Sequence, residues 1–114
     1  MGETEHQIAV LQSAIQAAKE KGGSPNQKRL YAVSVVRIAE KQYRDRRMYT
    51  QAMWTAHLIT QMRYAEGTLM DLLVSMKAEG EPPYSNTGVH SDEANVSHVT
   101  SEAHNALQDY VSGY

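Results

Sequence analysis

The chain has 114 residues, is 41% hydrophobic and 21% charged, and carries a formal net charge of −2 with no cysteine. A chain of that length suits one domain with a modest core. The lack of cysteine excludes disulfides, thiolate metal sites and cysteine nucleophiles, and no run approaches the roughly 18 apolar residues of a membrane span.

The N-terminus, Met1-Gly2-Glu3-Thr4-Glu5, is acidic and lacks an apolar stretch, so a secretory signal is not expected there. A first helix is predicted over 4–21. Thr4 followed by Gln7 has the spacing of a capping box, and Glu3 and Glu5 suit the positive end of the helix dipole. Ile8, Leu11, Ile15 and Ala18 recur at three- and four-residue steps as one apolar stripe. Gly22-Gly23 closes the helix.

The second helix, predicted over 25–46, has a sharper start. Ser24 is the cap, Pro25 takes the first helical position, and Gln27 completes a capping box. Ala32, Val36, Ala39 and Tyr43 form its apolar face. Arg44-Asp45-Arg46-Arg47 then interrupts the pattern without a Gly or Pro. One unbroken helix from 25 to 79 would be about 80 Å long, so a kink or turn is expected at 44–51, with a single continuous helix as the alternative.

A third helix is predicted over 49–79, on a stripe of Thr55, Leu58, Met62, Ala65, Leu69, Leu72 and Met76, widened by Ile59 and Leu73. Its alternation of three and four is that of coiled-coil packing. Gly67 weakens such a helix by about 1 kcal/mol relative to Ala. Gly80 and Pro82-Pro83 end it. Residues 84–100 are rich in Ser, Asn, Thr, Gly and His, which reads as an extended polar linker. A short helix over 101–111 follows, with Ala103, Leu107, Tyr110 and Val111 on one side. The expected fold is therefore all-α. It is a small helical bundle or hairpin (residues 1–83) with one long, kinked helix, followed by an extended C-terminal tail (residues 84–114).

Charge is divided along the chain. Residues 24–64 carry eight Lys/Arg against Glu40 and Asp45, whereas residues 65–114 carry Lys77 against eight acids. Arg37, Lys41, Arg44 and Arg47 share one face of a continuous helix, with Arg46 beside them. Such a stripe suits phosphates or an acidic protein partner, and Tyr43 and Tyr49 are near enough in sequence to stack on bases. A solvated helix face, neutralised from within the same chain, is the competing reading and the better supported one.

Chemistry-bearing motifs are sparse. His6 and His57 fall in predicted helices, and His90, His98 and His104 are spaced too widely to share a helical turn. Asp92 and Glu93 near His90 do not complete the three or four held ligands a metal needs. The sequence has no phosphate-binding glycine loop, no GxSxG elbow and no HExxH. No catalytic residue, cofactor or metal ligand is assigned.

These features point to a non-enzymatic structural or interaction subunit of a larger assembly, located in the cytoplasm or within a virus or phage particle and not in a membrane. Its partner is a protein or further copies of itself. The expected interface comprises Trp54, Leu58, Met62, Leu69 and Met76 on the helical body. In the tail it comprises Val89, Val96, Val99, Leu107 and Tyr110, which would clasp a neighbour. The alternative is a small nucleic-acid-binding or regulatory protein acting through Arg37, Lys41, Arg44, Arg46 and Arg47.

Overall fold

Five helices account for nearly all of the described chain: α1 (Glu3–Lys21), α2 (Pro25–Asp45), α3 (Tyr49–Tyr64), α4 (Leu69–Gly80) and α5 (His90–Ser112). They come from a computed structural model that describes residues 2–80 and 90–112. Its radius of gyration is 13.6 Å, against about 13 Å for a single globular domain of this length.

α1 is the central element and packs against each of the other four. That position explains its composition. Val10, Leu11, Ala14, Ala17 and Ala18 are all buried, and the three alanines let neighbouring helices come close. Ile8 and Ile15 of the expected stripe are only partly buried, because a helix surrounded by neighbours buries more than one stripe. Gly2, and not Thr4, occupies the N-cap position, with no side-chain cap bond. Gly22 and Gly23 adopt φ of 80° and 110°, a region that glycine enters without strain, and they turn the chain into α2.

α2 begins as its sequence predicts. Ser24 Oγ accepts from Gln27 N–H, while the Gln27 side chain accepts from Ser24 N–H. Ala32, Val36, Ala39 and Tyr43 are completely buried. The expected break falls at Arg46–Met48. Arg47 has φ 61°, Arg47 N–H donates to Arg44 O and Met48 N–H donates to Tyr43 O, each at 2.9 Å. This pair of bonds is a Schellman closure built on arginine where glycine is usual, which is why no glycine marked it.

The long third helix does not form. It is two helices, α3 and α4, parted at 65–68, although the apolar stripe runs inward on both sides of the break. Thr55, Leu58 and Met62 are buried on α3, and Leu69, Leu73 and Met76 on α4. Two devices make the corner. Arg29 of α2 donates from Nη2 to Met62 O (2.7 Å) and Ala65 O (3.0 Å), and from Nη1 to Gly67 O (3.0 Å). These bonds satisfy carbonyls that the end of a helix leaves open. Thr68 Oγ1 then accepts from Asp71 N–H while Asp71 Oδ2 accepts from Thr68 N–H, a reciprocal cap that starts α4.

The tail also differs from expectation. From His90 onward it is helix, longer than the predicted 101–111, and it lies against α1 and α2. Val96, Val99 and Ala103 are buried, and Leu107 packs on the same core. The polar residues that suggested a linker, Ser97, His98, Ser101 and Asn105, lie on the exposed side of this helix. Thr100 is buried, but its hydroxyl donates to Val96 O at 3.0 Å, so its burial leaves no donor unpaired. Residues 84–89, including Val89, lie outside the described residues.

Candidate interaction surface

Most side chains expected at an interface face the protein's own interior. Leu58, Met62 and Val99 are fully buried, and Leu69, Met76 and Val96 nearly so. Trp54 is half-buried. Its backbone carbonyl accepts from Gln7 Nε2 at 3.1 Å, and its ring leans on His6 with centroids 5.7 Å apart. Leu107 is partly buried in the α5 contact, whereas Tyr110 is exposed.

What faces outward is a different set. Tyr49, Met53 and Tyr64 of α3 are each at least half exposed. On a 3.6-residue helix they fall within one face, with exposed Thr60 between them. The opposite face carries Thr55, Leu58 and Met62 into the core. Across its sixteen residues α3 holds one Lys or Arg, Arg63, and no acid. On α4, Met70 and Val74, at i and i+4, are also exposed.

Arg37, Lys41 and Arg44 lie on α2 with carboxylates among them, whereas Arg46 is the C-cap and Arg47 lies beyond the helix, so the five do not share one continuous helical face. Arg37, Lys41, Arg44 and Arg47 are exposed. Arg44 pairs with Glu40 at 2.8 Å and Lys41 lies 4.0 Å from Asp45. Arg46 bonds Glu102 of α5, which also receives His98. The Glu102 carboxyl is held below its ordinary range, chiefly by the hydrogen bond from Arg46. Arg37 and Arg47 make no ion pair among the described residues.

No protein-family model, curated protein or solved structure matches this chain.

Two polar constellations lie between helices. At the first, Thr55 Oγ1 donates to Gln51 O at 2.6 Å, so the contact of His6 Nε2 with that oxygen at 2.9 Å must be a donation from Nε2–H. His6 is 1% exposed and stands edge-on to Tyr43, with centroids 5.3 Å apart. Burial pushes its pKa down to about 4, partly countered by a backbone bond to Gln51. Tyr43 Oη and Gln42 Oε1 are buried without a hydrogen-bond partner among the described residues, and burial raises the Tyr43 phenol. At the second, the Tyr31 hydroxyl and His104 Nδ1 are 2.6 Å apart and His104 Nε2 lies 3.9 Å from Glu20, joining α2, α5 and α1.

Among the described residues no three His, Asp or Glu side chains come together as a metal ion would need. No described helix is long and apolar enough to cross a membrane.

Proposed function

We propose that the protein is a non-enzymatic assembly subunit that associates with a second copy of itself through the outer face of α3. The outward row of Tyr49, Met53 and Tyr64 on a helix almost free of charge carries this reading. Tyr and Met are enriched where protein meets protein, and surface charges are depleted there. The row also suits a two-fold contact. Tyr49, Met53, Thr60 and Tyr64 are spaced by four, seven and four, so the sequence of contacts is the same read in either direction. Two copies of α3 laid antiparallel would set each Tyr49 opposite a Tyr64, the self-complementarity an isologous interface requires.

The basic face of α2 supports a nucleic-acid reading less well. Glu40, Asp45 and Glu102 are interleaved with its five cations, which lowers the field available to phosphates.

Sedimentation and light scattering against protein concentration test the proposal. The wild type should show a concentration-dependent dimer, little weakened by salt because the contact is apolar. Met53→Glu with Tyr64→Glu should shift it to monomer with unchanged helicity, since both side chains are outside the core. A wild-type chain that remains monomeric into the millimolar range overturns self-assembly through this face.

A further inference from the structure

A cleft of about 400 Å³ lies where α1, the start of α2 and the α3–α4 corner meet. Ile15, Ala18, Ala32, Leu69 and Met70 supply apolar wall. The charged residues that line it, Lys19, Lys28 and Arg29, are all cationic, and neither Asp nor Glu joins them. Neither Lys19 nor Lys28 has an ion-pair partner among the described residues. Arg29 is fixed by its three carbonyl acceptors, which use three of the five N–H donors of a guanidinium. Two donors remain on a group that is already held in place.

We propose that this cleft binds a free medium-chain carboxylate, with the acyl chain against Ile15, Leu69 and Met70 and the carboxylate at the Lys19, Lys28 and Arg29 rim. Charge complementarity selects the head group. Three cations and no carboxylate favour an anion and disfavour an ammonium, and the free Nε–H and Nη1–H of the held guanidinium can each donate a single bond to a carboxylate oxygen. Volume selects the tail. The cleft of about 400 Å³ is near the small end of the roughly 300–1,000 Å³ typical of small-molecule sites, which suits a single acyl chain. The corner that forms one wall is held by the Arg29 bonds, so the site exists before the ligand arrives and little is lost to ordering it. This site is separate from the outer face of α3 and does not depend on self-association.

Titration of the full chain with sodium decanoate below its micelle concentration, followed by amide chemical shifts and calorimetry, tests the proposal. Saturation at one site is expected, with the largest shifts at Ile15, Ala32, Leu69 and Met70. Decyltrimethylammonium should bind at least about tenfold more weakly, and Lys19→Glu with Lys28→Glu should weaken decanoate by about tenfold. Both lysines are outside the core, and an unchanged circular dichroism spectrum separates loss of binding from loss of fold. Failure to saturate, equal binding of the cationic amphiphile, or shifts centred on Tyr49, Met53 and Tyr64 would each overturn the proposal.

Discussion

Lowering the pH from 7.5 to 4.5 should destabilise the protein by about 2.5 kcal/mol through His6 alone. The imidazole is buried beside Tyr43 and Trp54, and its pKa falls from the ordinary 6.5 to about 4. Between those values the unfolded chain takes up a proton that the folded chain refuses. Acidification therefore favours unfolding, and stability is regained as pH rises through the window. Each pH unit inside the window is worth up to about 1.4 kcal/mol, and the whole interval about 3 kcal/mol. The effect is large against the 5–15 kcal/mol typical of folded domains.

Urea unfolding at pH 7.5, 6.5, 5.5 and 4.5 measures this, with His6→Leu as the control. The leucine cannot titrate, and its loss of the bond to Thr55 leaves that hydroxyl still donating to Gln51 O. The stability difference between the two proteins should change by about 2.5 kcal/mol over the series, in favour of the variant at low pH. The depressed carboxyl of Glu102 also makes acid destabilising, but below the ordinary carboxylate pKa, and it is common to both proteins. A difference that stays constant from pH 7.5 to 4.5 would refute the burial argument for His6.

Three further outcomes follow from particular contacts. Arg47→Gly should raise stability by about 1 kcal/mol in urea unfolding, because the left-handed φ of 61° strains any residue with a Cβ. Arg29→Met should lower it by roughly 2 kcal/mol, since the carbonyls of Met62, Ala65 and Gly67 lose a charged donor, and amide exchange should accelerate first around 62–72. Val99→Asp should abolish cooperative thermal unfolding by forcing a carboxylate into a fully buried site, whereas Ser101→Asp on the exposed side of α5 should leave it within about 0.5 kcal/mol of wild type.

Much of the fold was legible because local rules and burial agree. Ser24-Pro25-x-Gln27 marked the start of α2 correctly, and the stripes through Tyr43 and through Leu58 and Met76 are the ones buried. What was missed has identifiable causes. The corner at 65–68 depends on Arg29, which stands thirty-three residues before Met62, whose carbonyl it binds, and long-range side-chain caps leave no local trace. Thr68-x-x-Asp71 was the available signal, and it was masked by a heptad that continued across the break. The tail was judged by composition, which averages its two sides. The spacing of Val96, Val99, Ala103 and Leu107 is helical, and that periodicity outweighs the polar average. The inward direction of Leu58 and Met62 on α3 shows which of its apolar residues, Tyr49, Met53 and Tyr64, remain on the surface.

The position of α5 also changes what the division of charge means. The acidic end does not stand apart from the basic middle, because Glu102 bonds Arg46 and the helix that carries it covers α1 and α2. The same docking places His104 against Tyr31. An acidic helix held by apolar contacts on one side and by Glu102 at its edge removes charge from the α2 face at short range, while the chain's total stays near neutrality. A surface neutralised in this way does not strongly repel a second copy of itself, which is the condition under which an uncharged row such as Tyr49, Met53 and Tyr64 can control association. The basic stripe is thus partly neutralised from within the chain, as the proposed self-association requires.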